Sequence, residues 1–145
     1  MFFPDKDFIE ELSDAEKFIF LKVICGLIAS DRQVAKEELL YLRDVAQMYN
    51  VEGTTLATMI KTADRKALIK QARLINDRRK ALMLVKELCM VANKDTSLED
   101  NEIDYILDIA EVMNIEPDKV KDINKVVNAY ITLALKAGDL LEVND

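Results

Sequence analysis

Phe18-Ile19-Phe20-Leu21-Lys22-Val23-Ile24-Cys25-Gly26-Leu27-Ile28-Ala29 is the stretch that decides the fold. It is apolar on every side of a helix, which marks a helix enclosed by others rather than one lying on a surface. Ser13 stands five residues ahead of it, with Glu16 three residues after the Ser. That spacing predicts a capping box at the helix start. About 12 apolar residues broken by Lys22 are too few for a membrane span, which needs about 20.

Outward from this helix the chain reads as more helix. Lys36 to Tyr49 is amphipathic and ends near Asn50. A short helix follows from Gly53 and Thr54 to about Lys61, and another from about Asp64 to Ile75. Arg78 to Ala92 is a second mostly apolar helix. Ser97 and Asp100 can cap the next, which runs to Met113, and Glu116-Pro117 opens the last, since Pro suits the first helical position. The whole chain has 145 residues with three Gly and two Pro. So few turn-formers leave little room for the turns of a β-sandwich or barrel. The expectation is an all-α protein, one domain over residues 1–145, a compact bundle of about seven or eight helices.

Shifting the chain by 64 residues lays it on itself. Lys22 falls on Lys86, Cys25 on Cys89, Asp31 on Asp95, Glu38 on Glu102 and Tyr41 on Tyr105. Asp44 then meets Asp108, Ala46 meets Ala110, Asn50 meets Asn114 and Glu52 meets Glu116. Apolar matches alone would follow from any two amphipathic helices; paired Asp, Glu, Tyr and Asn do not. We read an internal duplication, with units over about 13–76 and 77–140, packed around one core because two units are too few for a solenoid.

The duplication isolates an anomaly. On the helix after each polar turn, Leu39, Leu42, Val45, Ala46 and Tyr49, or Ile103, Ile106, Ile109, Ala110 and Met113, form one arc of roughly 120°. Glu38 and Glu102 lie inside that arc, each seven residues after Asp31 or Asp95. A carboxylate turned toward a core costs several kcal/mol without partners. Three readings are open. Each Glu can accept backbone N–H groups of its own turn and lock the corner, with Asp31 and Asp95 as turn or cap residues. Asp31, Glu38, Asp95 and Glu102 can instead hold a divalent cation through hard oxygen ligands, joined by Glu37, Glu99 or Asp100. Or each Glu snorkels at the core's edge. An EF-hand does not fit, because neither turn has Gly at loop position 6 or Glu at position 12. With no His and only two separated Cys, a conventional zinc site does not fit either.

The segment Ala29-Ser30-Asp31-Arg32-Gln33-Val34-Ala35-Lys36-Glu37-Glu38-Leu39 resembles the Ala-x-Asp-Gly-x-Val-x-x-x-Glu signature of TerB-like domains, and Asn93 to Ile103 resembles it again. That family includes tellurite-resistance proteins and the N-terminal region of DjlA-type membrane co-chaperones. The resemblance covers about residues 15–125; Arg32 and Thr96 stand where the family usually has Gly. It implies a duplicated all-helical fold and a non-catalytic interaction module tied to tellurite or metal stress. It also implies Asp31, Glu38, Asp95 and Glu102 as the positions for a divalent metal.

Charge divides the chain sharply. Residues 61–92 carry nine Lys or Arg against three acids, while residues 1–60 and 93–145 are net acidic, for an overall −7. Lys66, Lys70 and Arg73 form one helical stripe, continued by Arg78-Arg79-Lys80. This is either a solvated face offsetting acidic neighbours or a docking surface for an acidic protein or an anionic membrane. No nucleic-acid binding is expected: the net charge is wrong and aromatics are not interleaved with the bases. The start, Met1-Phe2-Phe3-Pro4-Asp5, lacks signal-peptide order, and Cys25 and Cys89 sit in apolar runs as in a reducing cytoplasm. We expect a cytoplasmic protein, at most peripheral to a membrane. Without His, a phosphate loop or a nucleophile elbow, no enzyme is expected. The alternatives are a carboxylate-based metal-dependent hydrolase, were the acids of both units to converge, and a membrane-peripheral co-chaperone-type adaptor using residues 61–80. The protein partner is left unspecified.

Overall fold

The computed structural model describes residues 6–30, 36–93 and 100–142. The elements are α1 (Lys6–Glu11), α2 (Asp14–Ser30), α3 (Lys36–Tyr49), α4 (Gly53–Lys61), α5 (Arg65–Ala72), α6 (Arg78–Ala92), α7 (Asp100–Val112) and α8 (Pro117–Leu141). Among the described residues there is no strand, and the expected all-α bundle is what forms. No described helix is long and apolar enough to cross a membrane.

Helix starts follow local chemistry. Glu16 N–H donates to Ser13 Oγ at 3.1 Å and Ser13 N–H donates back to Glu16 Oε1 at 2.9 Å, so the capping box is complete. Asp77 caps α6 through a single bond, accepting from Lys80 N–H at 3.0 Å. Asp64 caps α5 by accepting from Lys66 N–H at 3.2 Å. Pro117 occupies the first turn of α8, where no N–H is required.

The interior is organised by α2, which packs on α3, α4, α5, α6 and α7. Phe20, Val23, Ile24, Cys25, Leu27 and Ile28 are all fully buried. A helix with neighbours on every side gains nothing from a polar face, hence its continuous apolar run. Neighbours approach closely at Gly26, where an added Cβ would overlap Leu68 and Tyr105. The Tyr105 hydroxyl crosses this contact and donates to the Val23 carbonyl at 2.8 Å. α6 is the second buried helix, with Leu84, Val85, Leu88 and Cys89 fully enclosed.

Two features depart from the sequence reading. No sign of α1 stands in the sequence, because six residues are too few to show a helical period; Phe8, Ile9 and Leu12 around it are buried in the common core. The helix after Asp64 stops at Ala72 rather than Ile75, and the chain leaves it through tight bonds from Leu74 to Gln71 and Ile75 to Ala72. Ile75 is buried all the same.

Candidate functional site

Asp31 and Asp95 lie outside the described residues, and so does the side chain of Glu38, whose backbone is in the first turn of α3. Glu102, in the first turn of α7, is described and is only 4% exposed. The acid therefore sits on the apolar side of its helix, as its angular position predicts. Beside it, Asn101 Nδ2 donates to the Ser30 carbonyl at 2.9 Å and ties the start of α7 to the end of α2. Among the described residues no three acidic or Cys side chains gather as a metal cluster.

The far ends of α3 and α7 share one geometry, displaced by 64 residues. Asn50 and Asn114 have φ of 58° and 62°. Asn50 N–H donates to Gln47 O and Val51 N–H to Ala46 O; Asn114 N–H donates to Glu111 O and Ile115 N–H to Ala110 O. This is a Schellman cap in each case, with Asn taking the left-handed position that Gly usually fills. Glu52 and Glu116 then stand at the N-caps of α4 and α8 with nearly equal backbone angles.

Each cap turns its chain sharply, and each turn opens a groove. Between α3 and α4 lies one of about 430 Å³, lined by Leu42, Ala46, Val51, Leu56 and Ile60 among others. Between α7 and α8 lies one of about 150 Å³, lined by Ile106, Leu107, Val120, Lys121 and Asn124 with Cys89 and Ile103. Leu42, Arg43, Leu56, Ala57 and Ile60 of the first stand 64 residues before Ile106, Leu107, Val120, Lys121 and Asn124 of the second. The second is the smaller of the two. Beneath its edge Asn93, fully buried, donates to Cys89 O at 2.8 Å and Asn124 Oδ1 at 2.7 Å and accepts from Asn128 at 3.1 Å. This asparagine cluster was missed in the sequence, since Asn93 reads there as an ordinary helix end.

Burial holds the two thiols and two of the tyrosine hydroxyls protonated. Burial pushes both the Cys25 and Cys89 thiols up to about 12, so neither supplies a thiolate near neutrality. Burial also raises the Tyr105 hydroxyl, and burial followed by the Glu87 carboxylate raises that of Tyr49.

Much of the basic middle segment pairs with acids from the two ends of the chain, mostly at the surface. Arg65 pairs with Asp108 and lies 5.8 Å from the centre of the Tyr105 ring. Arg78 pairs with Glu116 at 2.8 Å, Arg79 with Glu11 at 2.8 Å and Lys80 with Glu16 at 3.0 Å. Lys66, Lys70 and Arg73 are exposed, next to Leu74 at 69% exposure. The described geometry thus defines an all-α bundle carrying open apolar grooves and buried, protonated thiols. No protein-family model, curated protein or solved structure matches this chain.

Proposed function

We propose that this protein is a cytoplasmic, non-catalytic interaction module of TerB-like type, acting in metal or tellurite stress, that binds a protein partner on its paired grooves. The observation that carries this reading is the equivalence of the α3–α4 and α7–α8 grooves under a 64-residue shift. Apolar concavities with few polar groups bind, whereas the described site offers no activated nucleophile or base. In this reading Asp31 with Glu38, and Asp95 with Glu102, are the candidate ligands of a divalent cation, Glu38 and Glu102 lying in the first turns of α3 and α7. Those helices also form one wall of each groove.

Calorimetry with calcium, magnesium, manganese and zinc tests the cation, with melting followed in parallel. The expected result is heat and a raised melting temperature for at least one ion, both lost in Glu38→Gln/Glu102→Gln. If no ion gives heat or a melting shift and the variant melts like the parent protein, the corners are structural only and the metal part of the reading falls.

A second reading is favoured by exposed Leu74 beside Lys66, Lys70 and Arg73: adsorption to an anionic membrane, as in a co-chaperone-type adaptor. Flotation with anionic vesicles should then recover the protein and fail with Lys66→Glu/Lys70→Glu/Arg73→Glu. Equal, negligible flotation of both proteins removes this reading.

A further inference from the structure

We propose that α8 makes this protein a homodimer, its C-terminal half packing antiparallel on α8 of a second copy and filling that copy's α6–α8 groove. This goes beyond the partner-binding role above and stands without it.

α8 begins as α4 does. Both follow a Schellman cap and an N-cap Glu, and α4 packs on α2 as α8 packs on α6. α4 ends at Lys61 and the chain turns back into α5. The equivalent position in α8 is Lys125, yet α8 continues from Val126 to Leu141. Ile131 is its last buried residue, and every residue from Leu133 to Glu142 is exposed. Short helices without tertiary support are marginal in water, so this extension calls for a covering surface.

Its apolar residues show which surface. Val126, Tyr130, Leu133, Ala137 and Leu140 follow alternating spacings of four and three, the seam of a helix pair. Val126 is 54% exposed, Leu133 67% and Leu140 86%. At its N-terminal end the seam runs into an open groove of about 420 Å³ between α6 and α8, lined by Leu82, Met83, Ile123 and Val126. Val126 belongs to both, so seam and groove are one continuous apolar strip.

Charge selects the occupant. Lys119, Lys121 and Lys125 outnumber Asp118 and Asp122 in the N-terminal half of α8 by one charge, and Arg79 and Lys86 outweigh Asp122 on the groove's rim. The other end of the helix carries Asp139 and Glu142 beyond Lys136. Antiparallel pairing sets each basic end against an acidic end, while parallel pairing would set like on like. With Tyr130 opposite Leu133, Val126 faces Ala137 and Ile123 faces Leu140 of the second copy. The helix whose leucines need covering is then also the helix whose charge suits the groove.

Sedimentation equilibrium of the full chain over a wide concentration range tests this, with circular dichroism reporting the fold. The expected result is a dimer that becomes monomeric in Leu133→Glu/Leu140→Glu, and one weakened at least tenfold in Asp139→Lys/Glu142→Lys, with the bundle's helical signal kept. A parent protein that stays monomeric throughout overturns the proposal, as does a dimer that survives Leu133→Glu/Leu140→Glu. Orientation is read by cross-linking: Val126→Cys mixed with Ala137→Cys should form a mixed disulfide dimer under mild oxidation. A dominant disulfide between two copies of Ala137→Cys would instead mean parallel helices and overturn the arrangement.

Discussion

Lys80 Nζ donates to both carboxylate oxygens of Glu16 at 3.0 Å, and the two residues are 64 positions apart, each in the first turn of its helix. The 64-residue repeat distance thus also separates two residues that touch. The starts of the two buried helices α2 and α6 are held together there, and the pair is about one quarter exposed. Glu16 also closes the capping box of α2, while Lys80 N–H is the group that Asp77 caps.

This pair makes stability depend on acid. The Ser13 backbone N–H, and after it Lys80, hold the Glu16 carboxyl below its ordinary value. A lowered folded-state value contributes stability that is present above the unfolded-state value and fades as pH falls through the folded one. Glu16→Gln should flatten that acid limb in urea unfolding followed across pH. A double-mutant cycle with Lys80→Met should give a coupling of about 0.5–1 kcal/mol near neutrality. An unchanged acid limb in Glu16→Gln would show that other carboxyls dominate it.

Gly26→Ala tests a close helix crossing. Alanine favours helix over glycine by about 1 kcal/mol, so a spacious site would be stabilised. Here the new methyl overlaps Leu68 and the Tyr105 hydroxyl, and Tyr105 Cζ stands 3.2 Å away. Overpacking of this kind costs about 1–3 kcal/mol, and the Tyr105 bond to Val23 is at risk with it. A net loss near 2 kcal/mol is expected, read as a lower denaturation midpoint. Tyr105→Phe in the same chain should recover part of the loss by removing the overlapped oxygen.

The two asparagine caps should respond alike. At φ near 60°, Asn50→Ala and Asn114→Ala should each cost about 1 kcal/mol, because a Cβ without a polar side chain is disfavoured in the left-handed region. Gly at either position should be neutral or slightly favourable. Thermal melts of the four single variants decide the matter, and alanine tolerated at both sites would mean the caps rearrange freely.

By itself, the sequence determined the features that depend on neighbours within a few turns. The all-α class, the Ser13–Glu16 box, the span of α6 and the apolar side of Glu102 could all be read from spacing and periodicity. These follow from local backbone hydrogen bonding and from the helical repeat of about 3.6 residues. Tertiary structure alone decided what lies across the chain from what. α1 is a helix because Phe8 and Ile9 find a core, and Gly26 is small because Leu68 and Tyr105 arrive there. Asn93 is buried because Asn124 and Asn128 reach it, and the basic middle segment is largely paired because acids from α1, α2 and α7 surround it. The grooves and the uncovered half of α8 belong to the same class. They arise where packed helices diverge or run past the bundle, and no pattern along one helix encodes where its neighbours stop.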